Sequence, residues 1–254
     1  MSIDEIEFLI KNYGVKEIHF HDDSFLVDPE RVNSICKGLI ERKIIISWQV
    51  SQGVRVLGIK PGMLEMMQKS GMYRVGFPIE TASLRTQKFI RKRINLDKAL
   101  NIIGECNRLG IYTFANFIIG FPYETKEDIE QTSEFIFKST PDFVKLLICQ
   151  PLAGSDLYPI YIKEGLLKED MLSSSGYEKT QYDTLNFTAK ELNKMRIEIT
   201  RKFQKIKLRQ LLSINGFKRL ILPKVNSIDK ICYFFRLIWL SLKNLILRRA
   251  FFGV

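Results

Sequence analysis

The sequence predicts an α/β fold: a parallel-stranded barrel or partial barrel that lacks its first strand, followed by a basic α-helical C-terminal tail. Three observations carry this. Short apolar or β-branched runs alternate with segments of helical spacing through residues 1–165, the pattern of βαβ units and a parallel sheet. One face of three consecutive strands is polar, whereas a sheet covered by helices on both sides would be apolar on both. Residues 188–254 hold 16 Lys/Arg and 3 Asp/Glu, a net +13, while the rest of the chain sums to −2 of the total +11.

The elements follow in order. A helix over 3–12 precedes a strand at 16–21 (KEIHFH). Asp28-Pro29 opens a helix over 29–42, with Pro where its missing N–H costs nothing. A strand at 44–50 leads to a helix over 61–70, a strand at 72–79 and a helix over 84–92. Asn95 caps a helix over 96–109, and Leu109-Gly110 stops it. A strand at 111–119 follows, then a helix over 125–139 that Thr125 and Asp128 start as a capping box. The last strand is 142–149. Because a helix comes first where a βα series needs a strand, the strand at 16–21 is expected as an exposed edge. Residues 1–165 form the barrel core, 166–187 an irregular linker and 188–254 the tail. In the tail, 188–212 reads as an amphipathic helix with Leu192, Met195, Ile199, Phe203 and Ile206 on one face. A last helix, 227–250, follows the breakers Asn215-Gly216 and Pro223.

Apolar residues make up 46% and charged residues 26% of the 254, which excludes a disordered chain, a collagen-like repeat and a disulfide scaffold. Cys36, Cys106, Cys149 and Cys232 include no CxxC pair, which speaks against a zinc ribbon or a self-contained Cys-ligated cluster. Scattered thiols suit a reducing compartment, so a cytoplasmic location is expected. Residues 1–13 lack the basic and apolar regions of a signal peptide. The most apolar stretch, 231–242, is interrupted by Arg236, far short of the ~20 residues of a spanning helix. The tail has three readings: helices packed on the barrel or another domain, an amphipathic helix lying on an anionic membrane surface, or nucleic-acid binding. The membrane reading pairs Trp239 and Phe235 with Lys230, Arg236 and Lys243, and suits a lipid substrate. Nucleic acid is not expected, because no recognition motif accompanies the charge.

Side chains alternate along a strand. His19 and His21 share a face opposite Ile18 and Phe20. Ser47, Gln49 and Ser51 oppose Trp48 and Val50. Arg74, Gly76 and Glu80 oppose Tyr73, Val75 and Phe77. A polar lumen filled by a ligand explains this pattern, with Asp22, Asp23, Gln52, Glu80, Gly120 and Gln150 at strand C-terminal ends, where barrel active sites sit. Plainer readings stand beside it: a turn at Asp22-Asp23-Ser24, a helix-start charge at Glu80, a tight turn at Gly120-Phe121-Pro122. His19-x-His21 also resembles the start of a binuclear metal site, but the chain has only two histidines and no metal ligation by side chains is expected.

Taken in order, KEIHFHDDSF, SWQVSQGVRV, YRVGFPIETAS, FANFIIGFPYETKEDIEQT and QPLAGSDLY resemble the radical S-adenosylmethionine (SAM) superfamily, and within it the cobalamin-binding-domain class that includes the Mg-protoporphyrin oxidative cyclase type. The likeness runs over residues 1–165. It implies a (β/α)6 TIM-like partial barrel, with SAM, a [4Fe–4S] cluster and, in this class, cobalamin. By resemblance, Asp22 and Asp23 meet the methionyl amine of SAM. Glu80, with Thr81 beside it, meets the ribose hydroxyls, and Lys92 or Arg93 the SAM carboxylate. Phe117, Ile118 and Gly120 line the adenine, and Gln150 lies near adenine and substrate. The lumen residues His19, His21, Gln49, Arg74 and Asn116 face a small-molecule or lipid substrate. The family's CxxxCxxC loop has no counterpart in this sequence. The expectation is therefore an N-terminally truncated or split enzyme, inactive alone, whose cluster cysteines lie upstream or in a partner. The complete enzyme would cleave SAM to a 5′-deoxyadenosyl radical, with cobalamin-assisted methylation or cyclisation. The alternative is a non-catalytic SAM- or ligand-binding module.

Overall fold

The computed structural model describes residues 3–22, 24–51, 54–167 and 177–216, with a few isolated positions beyond. Asp23, Gln52 and most of the helix expected at 227–250 lie outside the described residues.

Five strands form one parallel sheet in sequential order: β1 (Glu17–Phe20), β2 (Ser47–Val50), β3 (Met72–Glu80), β4 (Tyr112–Ile119) and β5 (Phe143–Ile148). The crossovers hold α2 (Pro29–Glu41), α3 (Met63–Lys69), α4 (Leu84–Phe89), α5 (Leu96–Arg108) and α6 (Lys126–Ser139), while α1 (Ile3–Tyr13) precedes β1. The sheet is open. This is an α/β fold with a parallel sheet and a helical C-terminal region, α8 (Ala189–Leu212). A short helix, α7 (Leu157–Lys163), also stands where the sequence reading placed none. It carries Pro159 in its first turn, which a helix tolerates, and buries Tyr161.

Local signals set the element ends. Asp28 accepts from the Glu30 and Arg31 amides, Asn95 from the Lys98 amide, and Thr125 with Asp128 forms a reciprocal capping box. After α5, Gly110 takes a left-handed φ of 73° and Ile111 N donates back to Cys106 O, the glycine stop of a Schellman motif. Helix α4 ends at Phe89 rather than at 92, because Arg91 turns left-handed (φ 55°) and Lys92 N donates to Gln87 O.

The two sheet faces differ. Trp48, Val50, Val75, Phe77, Ile79, Ala115, Phe117, Ile119, Leu146 and Ile148 are buried under the helices. Burying a large side chain such as Trp48 is worth on the order of 3–5 kcal/mol against alanine. On the opposite face Phe114, Asn116 and Ile118 of β4 are half-buried, and Lys145 of β5 is exposed. Among the described residues β1 pairs only with β2. The far edge is covered: Ile148 N donates to Tyr177 O at 2.9 Å, and Arg196 Nε of α8 donates to Leu146 O at 2.8 Å. Leu192 and Phe203 anchor α8 in the core.

One strand-face expectation is corrected. Tyr73 was placed with Val75 and Phe77, yet its hydroxyl donates to Glu17 on the polar face. The β2–β3 register shifts between Trp48↔Met72 and Gln49↔Arg74, which leaves Tyr73 as an extra residue. A bulge of this kind breaks strict alternation.

Candidate cofactor and substrate site

The C-terminal end of β3 is shaped by a second irregularity. Pro78 pairs with Asn116 but Glu80 pairs with Phe117, so Ile79 is an extra residue and Glu80 adopts φ 64°. A left-handed glutamate costs about 1–2 kcal/mol, and such backbone clusters at functional sites. It swings the carboxylate toward the end of α4, where Lys92 Nζ donates to Glu80 Oε1 at 2.7 Å. Their side chains are 20% and 32% exposed, so the pair is neither dry nor freely solvated. Glu80 Oε2 accepts no hydrogen bond among the described residues.

Behind this pair the loop after β3 is locked to α6. Thr81 Oγ1 lies 3.0 Å from Thr132 Oγ1, and Thr132 Oγ1 accepts from Ala82 N at 3.1 Å. The Thr81 side chain thus points into the core. Ser83 Oγ donates to Asp128 Oδ1 at 2.5 Å, Arg85 also donates to Asp128, and Thr125 closes the capping box on it. Burial would raise the Asp128 carboxyl, but these donors outweigh it and hold it far below the usual carboxylate range.

The turn after β4 is built around Gly120 (φ 81°) and Glu124. A Cβ at Gly120 would come within 3.1 Å of Ile148 and Leu192, besides being left-handed. Glu124 Oε2 accepts from Gly120 N at 2.6 Å and Phe121 N at 3.3 Å, while Oε1 is buried without a partner. Burial pushes the Glu124 carboxyl up to about 8 despite those two amides. Below that pKa the carboxyl is neutral, which lowers the cost of burying Oε1 without a partner. Glu124 was not among the sequence candidates; its signal was a lone carboxylate four residues after the glycine of the GFPYET turn.

The remaining candidates are dispersed around this end of the sheet. Asp22 Oδ1 accepts from Ser24 N at 2.8 Å and Oδ2 from Arg31 at 2.9 Å, which together lower its pKa. Arg93 is exposed. The Phe117 ring lies in the helix-covered core, 6.2 Å from Phe135, so only the backbone of that residue is presented along β4. Ile118 faces the open side. Gln150 is buried and donates to Lys179 O at 2.9 Å.

On the polar face, Glu17 Oε1 accepts from Gln49 Nε2 at 3.2 Å and from the Tyr73 hydroxyl, and His19 Nε2 lies 2.6 Å away. Burial would raise the Glu17 carboxyl, but these donors outweigh it and hold it low. His21 is exposed, its ring 6.3 Å from that of His19. The Arg74 guanidinium sits over the Phe114 ring at 4.0 Å. Among the described residues no group of His, Cys, Asp or Glu is placed to hold a metal ion. Cys36 in α2, Cys106 in α5 and Cys149 just after β5 are buried far apart in the fold, and burial raises the thiols of Cys36 and Cys149. No described helix is long and apolar enough to cross a membrane.

A family model described as the radical SAM superfamily matches residues 1–136. An uncharacterized methyltransferase of Pyrococcus horikoshii is 31% identical over 197 residues, which cover 76% of this chain and 42% of that protein. The anaerobic magnesium-protoporphyrin IX monomethyl ester cyclase of Rubrivivax gelatinosus is 26% identical over 156 residues, 61% of this chain and 28% of that one. The chain therefore spans less than half the length of these two relatives. Among solved structures, the radical SAM methyltransferase TsrM of Kitasatospora setae, with cobalamin and a [4Fe–4S] cluster bound, superposes with a TM-score of 0.51. That match has 13% identity and covers 57% of this chain and 28% of TsrM.

Proposed function

Because the chain belongs to the radical SAM superfamily, we propose that it is the SAM- and substrate-binding part of a methyltransferase or cyclase whose cluster is held by cysteines outside these 254 residues. The conformation of Glu80 carries the reading. A bulge and a left-handed φ place its carboxylate at the C-terminal end of a central strand, with Lys92 on one oxygen and the other open. A carboxylate so held accepts from two vicinal hydroxyls, the chemistry of a ribose.

SAM fits the residues present. Glu80 would hold the ribose, Lys92 or Arg93 would balance the methionyl carboxylate, and a purine would pair with backbone groups along the end of β4. The [4Fe–4S] cluster does not fit: its ligands are three clustered, accessible thiolates, and the cysteines here are dispersed, three of them in the packed core. A bound SAM supplies hydrogen abstraction or methyl donation in this superfamily. TsrM is solved with cobalamin; use of cobalamin by the full enzyme is part of the proposal.

Calorimetric titration with SAM tests it. Weak binding is expected, reduced about tenfold by Glu80→Ala, the effect of one charge-assisted contact. Affinity unchanged in that variant removes Glu80 from the site. Anaerobic reconstitution with iron and sulfide should leave this chain without [4Fe–4S] absorption, and a stable cluster overturns the division of labour.

A further inference from the structure

The open face of β3, β4 and β5 carries a feature that SAM binding does not use. Arg74, Phe114, Phe143 and Lys145 form one continuous surface. Arg74 pairs in register with Gln49 and Tyr112, Phe114 with Phe143, and Asn116 with Lys145. The Arg74 guanidinium lies over Phe114 at 4.0 Å, and Phe114 stacks on Phe143 with centroids 4.5 Å apart and planes at 21°. Lys145 is two residues beyond Phe143 and so on the same face. It is exposed, and in the sequence it is masked by the apolar run around it, in which Phe143, Lys145 and Leu147 alternate with Val144, Leu146 and Ile148.

Both cations lack an acidic partner among the described residues. Arg74 Nε is buried with no hydrogen-bond partner. Leaving a charged donor so costs free energy unless a ligand completes it. Glu17, an acid on this face, is engaged by Tyr73, Gln49 and His19. Guanidinium donors lie in the plane of the group, so a cation seated over a ring keeps its edge for a third group, and that edge matches a carboxylate or phosphate.

We propose that the substrate of this barrel carries an anionic group, a carboxylate or a phosphate, which Arg74 binds against the Phe114–Phe143 stack with Lys145 as the second cation. This rests on the reading of the open face as the substrate face. It adds the charge class of the substrate, which the SAM contacts do not specify.

The test uses the full chain and three probes: phenylphosphonate, phenylacetate and neutral benzyl alcohol, each titrated by NMR chemical shift. Either anion should bind better than benzyl alcohol, and the tighter of the two identifies the group. Arg74→Gln should weaken the preferred anion about tenfold or more. Lys145→Gln, at an exposed position that leaves folding intact, should weaken it about threefold. Equal affinity for the neutral probe, or anion affinity unchanged in both variants, overturns the proposal. If Arg74→Gln fails to fold, Lys145→Gln decides alone, and unchanged affinity there overturns it. SAM titration of Lys145→Gln separates the two readings. Anion binding weakened about threefold with SAM binding intact is the expected result. SAM binding absent in every form defeats the Glu80 reading and leaves the anion result standing.

Discussion

Lys92 donates from Nζ to Glu80 Oε1 across 2.7 Å, and both residues reach that contact through left-handed backbone, Glu80 at its own φ of 64° and Lys92 just after Arg91 at 55°. The pair is therefore a product of two local distortions, one in a strand and one at a helix end. Neither is relieved by a glycine.

The first prediction follows from that backbone. In an ordinary strand alanine is more stable than glycine. At position 80 the order should reverse, with Glu80→Gly more stable than Glu80→Ala by about 1 kcal/mol, because only glycine enters the left-handed region freely. Both should lose SAM affinity alike. Urea unfolding of the two variants checks it, and alanine above glycine would mean that φ is not held left-handed.

Glu124 should make stability fall with rising pH. Its folded-state pKa, about 8, lies above the ordinary 4.5, so the folded state holds a proton that the unfolded state has lost. The contribution is full below about 4.5 and is lost as pH rises through about 8. Glu124→Gln keeps an acceptor for the Gly120 and Phe121 amides and removes the titration. Denaturant midpoints measured from pH 5 to 9 should slope downward in the parent chain and flatten in the variant.

Asp128 works in the opposite sense. Its pKa is held low, so its contribution is present above the ordinary carboxylate range and is lost only as pH falls below it. It joins the loop after β3 to the start of α6 through Ser83, Arg85 and Thr125. Asp128→Ala should cost about 2 kcal/mol, combining a lost cap with partly exposed charge contacts. It should also loosen Glu80 and so weaken SAM binding indirectly. Thermal unfolding and SAM titration at neutral pH measure the two effects separately.

Gly76 of β3 lies against the backbone just after β2. A Cβ there would lie 2.1 Å from the Ser51 carbonyl oxygen, a contact backbone cannot yield cheaply. Gly76→Ala should destabilise by about 2–3 kcal/mol and disturb the Gln49–Ser51 hydrogen bond on the polar face. An unfolding midpoint equal to the parent's would show that the strands separate freely.

Much of this was legible in the sequence. Asp28, Asn95, Thr125 and Gly110 act within a few residues of themselves, so the helix ends they set were readable. The αL turn at Arg91 was not, because nothing in that side chain asks for a positive φ. The polar face of β1 and β2 was readable from strict alternation. Tyr73 and Glu80 broke that alternation, and a bulge depends on the register of the neighbouring strand.

Among the site residues, sequence patterning pointed to Glu80, Arg74 and the His19–Gln49 face. It did not separate Thr81, whose hydroxyl turns inward to Thr132, or Phe117, whose ring packs on Phe135. Neither did it mark Glu124 and Asp128 as neighbours beyond the C-terminal end of β4, or Lys145 as part of the open face of the sheet.

The sequence by itself determined the parallel α/β class, the order of five strands and the helix caps, since periodicity and capping are local properties of the chain. The tertiary structure decided which carboxylates are held low or raised and which cations have no acidic partner among the described residues. Burial of Glu124, the donors around Asp128 and the Arg74–Phe114 stack arise from residues far apart in sequence, and only packing brings them within reach of one another.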